Sequence, residues 1–303
     1  MTQKSASLSK KEKTLAYIHN LSQTDLDLAC IHCGQMLALQ DQSLLCSNGH
    51  RFDIARQGYF YLTSVHQDSK YQHDLWTARR TIIQEYGLFE SAMSEIKQII
   101  LNFCEKLGQP PTIIDAGMGE GSHLAQILPT LPAHSHVYGL DLSRQGVQLA
   151  TDYVGDFLPL VADISHLPFK DDSCHIILSI LSPANYDEFK RIAASQAGAI
   201  LLKLIPNPDY LKEIRHELTL IRGKDYESYD NQAVIDIFRE HFREGQSQKI
   251  QAELDLTPPM AQALITMTPL TWDLAPEEQA ELLNRLLDKG TVTLSWTLLT
   301  ADL

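Results

Sequence analysis

Between residues 112 and 204, short apolar runs alternate with amphipathic stretches. Residues 112–115, 137–141, 160–163, 174–181 and 198–204 are strand-length and closed by turn-forming or acidic residues. Between them, 124–128, 143–153 and 186–195 space their apolar residues as helices do. Regular alternation of strand and helix predicts βαβ units and a parallel sheet, an α/β fold. Upstream, 75–86 and 91–107 read as helices, the second stopped by Pro110-Pro111, and 66–71 reads as a polar loop. No apolar run approaches the ~18 residues of a membrane span. The first residues lack an apolar export core with a cleavage site, so a cytoplasmic protein is expected.

Composition adds a division. The chain has 303 residues, 44% of them apolar, enough for one large domain or two unequal ones. Its 25 Lys+Arg against 38 Asp+Glu give a net charge of −13, which speaks against a nucleic-acid partner, since cations neutralising phosphate supply most nonspecific affinity. Residues 1–110, however, hold 11 basic and 11 acidic side chains, and residues 111–303 hold 14 and 27. The whole excess lies in the second part, so the first remains electrostatically free to approach phosphate.

Within the neutral part, three of the chain's five cysteines crowd into seventeen residues. Cys30, Cys33, Cys46 and His50 stand in the pattern C-x2-C-x12-C-x3-H. Zinc takes four N/S donors at tetrahedral corners, and each close pair supplies two from one turn. Gly34 and Gly49 follow where such turns need permissive backbone. His32, inside the first turn, is a rival to His50, which is preferred because it pairs with Cys46. Four protein donors leave no open coordination position, so the metal holds a fold and performs no chemistry. The segment from Arg51 to Leu62 then mixes Arg51 and Arg56 with Phe52, Tyr59, Phe60 and Tyr61. Exposed, such residues would bind looped RNA; buried, the rings would simply pack the ribbon.

The acidic part opens on Asp115-Ala116-Gly117-Met118-Gly119-Glu120-Gly121-Ser122 between a strand and a helix. Ser122 stands where a dinucleotide fingerprint needs glycine, so the pattern is D-x-G-x-G-x-G. Asp141, 20 residues after Gly121, ends the second strand, where a carboxylate accepts ribose hydroxyls. Asp163 ends the third and suits an adenine edge. The loop after the fourth strand contains Asn185 and Tyr186, which could grip a flipped base or merely start the next helix.

With these residues in view, the chain resembles a class I S-adenosylmethionine-dependent methyltransferase. The ribbon, Phe52-Asp53, Gly58-Tyr59, Ala78-Arg79-Arg80, Gly119-Glu120-Gly121, Leu140-Asp141-Leu142-Ser143 and Met267 to Trp272, taken in order, resemble the bacterial 23S rRNA guanine-N1 methyltransferases, the family containing the tylosin-resistance methyltransferase. The resemblance implies an α/β, Rossmann-like methyltransferase domain preceded by a small N-terminal zinc ribbon. It implies an extension over 1–27, an RNA-recognising ribbon over 28–62, a linker with helices packing on the catalytic domain over 63–110, and that domain over 111–303. The implied reaction is methylation of a guanine N1 in a 23S rRNA hairpin loop near the peptide exit tunnel, with S-adenosylmethionine and zinc as cofactors. The implied cofactor contacts are Gly117, Gly119, Glu120, Gly121, Asp141 and Asp163, with Phe89 and Tyr210 at the positions of a family aromatic and a family histidine. RNA contacts are expected at Arg51, Arg56, Lys70, Arg79 and Arg80, and relatives imply a homodimer. No catalytic base can be named. A small-molecule methyltransferase with a structural ribbon and a non-catalytic RNA-binding protein are the competing classes, separated by cofactor retention and by the acceptor that receives the methyl.

Overall fold

The alternation of apolar runs is realised strand by strand in a computed structural model that describes residues 8–21, 26–65 and 73–303. The polar loop expected over 66–71, with Lys70, lies outside the described residues. In chain order the elements are α1 (Lys10–Leu21), β1 (Leu37–Gln40), β2 (Ser43–Cys46), β3 (Arg51–Asp53), β4 (Phe60–Leu62), α2 (His73–Gln84), α3 (Glu90–Leu107), β5 (Thr112–Ala116) and α4 (Ser122–Ile127). There follow β6 (His136–Asp141), α5 (Arg144–Ala150), β7 (Leu158–Ala162), β8 (Ile176–Ile180), α6 (Tyr186–Ile192) and β9 (Ile200–Pro206). The chain closes with α7 (Lys212–Arg222), α8 (Gln232–His241), β10 (Gln246–Asp255), α9 (Pro258–Met267), α10 (Pro276–Lys289) and β11 (Thr291–Asp302). Among the described residues no helix is long and apolar enough to cross a membrane.

Two compact units result, one of Met1–Ser69, Ile100–Ile200 and Leu303, the other of Lys70–Ile99 and Leu201–Asp302. In the first, β8, β5, β6, β7 and β4 lie side by side in that order, all parallel where paired. The central strands are buried on both faces, which is why they read as unbroken apolar runs. From β5 the chain builds outward through β6 to β7 and then returns to place β8 on the other side of β5. In open α/β sheets such a reversal is where a ligand crevice lies, here at the carboxyl ends of β5 and β8.

β1, β2 and β3 form a separate antiparallel meander, the ribbon. Its last strand does not stay with it: β4 pairs in parallel with β7, Phe60 opposite Leu160 and Leu62 opposite Ala162. The ribbon's entry is tied down too, by an isolated bridge between Leu28 and Phe169 and by the Ala29 N–H donating to the Pro168 carbonyl at 3.0 Å. Upstream, α1 buries Thr14, whose hydroxyl donates to the Gly58 carbonyl at 2.8 Å, and Tyr17, whose oxygen accepts the Val137 N–H at 2.8 Å.

Asp27 anchors this entry. It is buried, with a carboxylate 3.1 Å from the Thr112 hydroxyl, 3.2 Å from His136 Nδ1 and 3.1 Å from Lys170 Nζ. Burial pushes its pKa up, but the bonds and charges of His136 and Lys170 outweigh that and hold it below the ordinary carboxylate value.

In the second unit, β10 and β11 run antiparallel in register from Gln246 opposite Thr300 to Asp255 opposite Thr291, and β11 also flanks β9. Helix α2 packs on α9, and α7 on α10. Arg222 fastens α7 to the start of α10 through Glu278 at 2.7 Å and Asp273 at 2.6 Å.

A folded-state pKa below the unfolded value stabilises above the ordinary carboxylate range and is lost as pH falls through the folded pKa. Asp27→Asn should therefore cost about 2 kcal/mol at neutral pH and flatten the loss of stability below about pH 4. Urea unfolding of both proteins across pH 2.5–7 (about that span, set by the carboxylate range) reads both effects, and identical acid limbs would remove Asp27 from the account.

Candidate functional site

Two centres emerge in the first unit. The ribbon centre is built by two equivalent turns. After Cys30, the N–H groups of Cys33 and Gly34 both point to the Cys30 carbonyl, at 3.3 and 2.8 Å, and Gly34 takes a φ of +70°. After Cys46, the Gly49 N–H meets the Cys46 carbonyl at 3.0 Å, with φ of +83° at Gly49. Register between β1 and β2 sets Cys46 opposite Leu37 and brings the turns together.

The donor atoms of Cys30, Cys33, Cys46 and His50 then lie within 4.8 Å of one another. Zn–S bonds near 2.3 Å at tetrahedral angles separate two sulfurs by about 3.8 Å. Cys33 and Cys46 sulfurs stand 3.7 Å apart, and His50 Nδ1 is 3.4 Å from the sulfurs of both Cys30 and Cys46. The set fits zinc, with His50 as fourth donor. His32 is outside the cluster; its exposed ring lies against those of Phe52 and His50.

The second centre lies at the carboxyl end of β5. Gly117, Gly119 and Gly121 adopt φ of +89°, +61° and +81°, closed to most side chains. The Gly117 and Met118 N–H groups both donate to the Leu140 carbonyl at 2.9 Å, so β6 extends its ladder into the turn. Asp141 completes the hold: Oδ2 accepts the Gly119 N–H at 2.9 Å and Oδ1 the Ser143 N–H at 2.7 Å. Asp163 is similarly fixed by the Ser165 N–H at 2.8 Å and remains half-buried past the end of β7. Asp141 and Asp163 are thus acidic acceptors set on neighbouring strand ends.

Sequence reasoning missed the other wall of this crevice. Leu181 turns left-handed, at φ +52°, just past β8 and swings Ser182 back, so that its hydroxyl donates to the Ala116 carbonyl at 2.7 Å. A Cβ on Gly117 would lie 2.5 Å from that of Ser182, so glycine is required by contact as well as by φ. Met118 has a packing role, its sulfur 2.3 Å from where a Cβ on Gly139 would be.

Other anticipated residues fall elsewhere. Glu120 is 0% exposed and presents no surface to a ligand in this conformation. Phe89 and Tyr210 belong to the second unit, where both pack on Trp296, with ring centroids at 5.2 and 5.6 Å. Trp296 was not singled out from sequence; it is fully buried, and among the described residues its indole N–H has no hydrogen-bond partner. Asn185 caps α6 by accepting the Glu188 N–H at 3.3 Å, and Tyr186 is buried against Phe189, so both start the helix as the second alternative had it. Among the basic residues, Arg51 and Arg56 are exposed in the first unit, Arg51 bonded to Asp53 at 2.8 Å. Arg79 and Arg80 are half-buried on α2 in the second. Tyr59 and Phe60 are buried, so for these two rings the packing alternative holds.

Comparison with known proteins agrees with both centres. Residues 28–70 match the zinc ribbon described as RlmA, N-terminal, and residues 113–201 match a methyltransferase domain. A Bacillus subtilis protein named for 23S rRNA (guanine-N1)-methyltransferase activity is 31% identical over 269 residues, covering 86% of this chain and 93% of its own. The 23S rRNA (guanine(748)-N1)-methyltransferase of Streptomyces fradiae is 29% identical over 273 residues, covering 89% and 94%. A Micromonospora griseorubida protein named for the guanine-N1 activity is 27% identical over 286 residues, covering 88% and 94%.

Two outcomes follow for these centres. Gly117→Ala should weaken S-adenosylmethionine binding by at least about tenfold, roughly 1.4 kcal/mol, and adding Ser182→Gly should recover part of it by removing the 2.5 Å contact. Calorimetric titration of the single and double variants decides this; no recovery would mean that φ strain alone is responsible. Cys46→Ala should release the metal and unfold the meander of β1 to β3 while the glycine turn still binds cofactor. Zinc content and the same titration test that separation.

Proposed function

This chain belongs to the 23S rRNA (guanine-N1)-methyltransferase family, and from that premise we propose that it methylates N1 of a guanine in a hairpin loop of 23S rRNA, in the cytoplasm. The observation that carries the reading is the Asp141 carboxylate at the end of β6, drawn onto the Gly119 and Ser143 amides beside the glycine turn. A fixed acceptor there suits ribose hydroxyls, and Asp163 beside it suits the adenine edge. Gly117, Gly119 and Gly121 give the turn the left-handed backbone it needs, and Gly117 and Gly121 admit the close approach of Ser182 and Ala150. S-adenosylmethionine, when bound, supplies an electrophilic methyl.

What the protein must do is hold the acceptor nitrogen in line with that methyl and exclude water. Guanine N1 carries a proton at neutral pH and loses it before or during attack. The charge division gives a complementary account of binding. Arg51 and Arg56 lie in the half of the sequence without acidic excess, and their exposed guanidinium groups suit phosphate. The acidic remainder repels nonspecific RNA, so productive contact is confined to where the cations are.

The decisive assay offers labelled S-adenosylmethionine and protein-free 23S rRNA from a strain lacking the gene. The expected result is one methyl per rRNA at a guanine that stops primer extension, because a methyl on N1 blocks base pairing. Asp141→Ala should reduce the rate at least about a hundredfold by loosening both the turn and the ribose contact. Transfer only to small acceptors would replace rRNA by a small-molecule substrate.

A further inference from the structure

The zinc ribbon carries a feature that metal binding does not use. His32 sits at the tip of the first turn, between the ligands Cys30 and Cys33, and is exposed. Its ring lies nearly parallel to that of Phe52, 17° between planes and 5.7 Å between centroids. Its other neighbour is the ring of His50, 5.1 Å away and tilted by 57°.

Each support is itself fixed. Phe52 is half-buried on β3, in register with the fully buried Leu44 of β2. His50 is held through Nδ1 at the metal centre, 3.4 Å from two cysteine sulfurs. The result is a two-plate stack with a founded inner ring and an exposed outer one. Its neighbours in the aromatic run are spent elsewhere: Tyr59 accepts Arg144 Nε at 3.0 Å and Phe60 is buried in β4.

A flat π-face held in place before binding is what an unstacked base requires, because no side-chain entropy then has to be lost at that contact. The imidazole face accepts any base, so it positions a loop without reading its sequence. Arg51 and Arg56, exposed on the same segment, supply the attraction for phosphate that a ring lacks.

We propose that His32, seated on Phe52, is a positioning residue that stacks an unpaired base of the rRNA substrate, away from the cofactor turn. The inference rests on the reading of this protein as an rRNA methyltransferase and adds to it the side chain that grips the loop. It requires the ring and not a proton: any aromatic plate of similar size on Phe52 should serve.

The test uses the full-length, zinc-loaded protein and an unmodified 23S rRNA transcript. His32→Ala should bind the transcript about tenfold more weakly and raise KM for rRNA by a similar factor with kcat nearly unchanged. It should retain one zinc per chain and the wild-type affinity for S-adenosylmethionine. His32→Phe should restore binding to within about twofold, and His32→Gln, which keeps polarity without a ring, should behave like alanine. Unchanged RNA binding in His32→Ala, loss of its zinc, or rescue by glutamine in place of phenylalanine would each overturn the proposal. A wild-type protein that methylates no rRNA would instead overturn the function on which it rests, and the wild-type arm separates the two failures.

Discussion

Most of what is arranged at the crevice depends on one carboxylate. A turn with left-handed glycines at three of its five positions has few side chains with which to hold a shape, so much of its order must come from outside. Asp141 provides it from the next strand, because the register that sets Ala116 opposite Leu140 puts Asp141 beside the first loop residues. Its two oxygens take amides from either side, Gly119 in the turn and Ser143 at the cap of α5. Hydrogen bonds to an ionised acceptor are among the stronger ones a protein makes. In the proposed reading the carboxylate that shapes the turn is also the ribose acceptor, so folding and recognition would draw on one side chain.

The parts of this arrangement that the sequence displayed are those with local signatures. Strands buried on both faces leave apolar runs, as in β5, β7 and β8, and left-handed turns leave glycines. Zinc turns leave paired donors at short spacing. Ser182 had no such signature: its approach to Gly117 follows from the left-handed Leu181, a conformation that no leucine announces. Nor did β4, whose three residues acquire meaning only from a partner about a hundred positions away. β10 begins Gln246-Ser247-Gln248-Lys249, largely exposed, and has the look of a loop until β11 is laid beside it. Trp296 was hidden for the same reason.

Aromatic residues show most plainly why pattern alone misleads. Between Phe52 and Tyr61 the rings are similar in spacing and in basic company, yet they divide between the sheet and the surface. What divides them is strand pairing: residues in β4 are claimed by β7, and those in β3 by a small sheet too thin to bury them completely. Asn185 and Tyr186 were divided from their imagined role by an equally ordinary demand, the open amides at the start of a helix.

β4 has a further meaning for the life of the chain. β7 is apolar and buried along its whole length, and its outer row of amides and carbonyls would be an invitation to any extended chain nearby. The three residues of β4 occupy that row. The segment that carries the zinc turns is therefore also the guard of a sticky border, and a methyltransferase cut free of it would sooner clump with copies of itself than work alone.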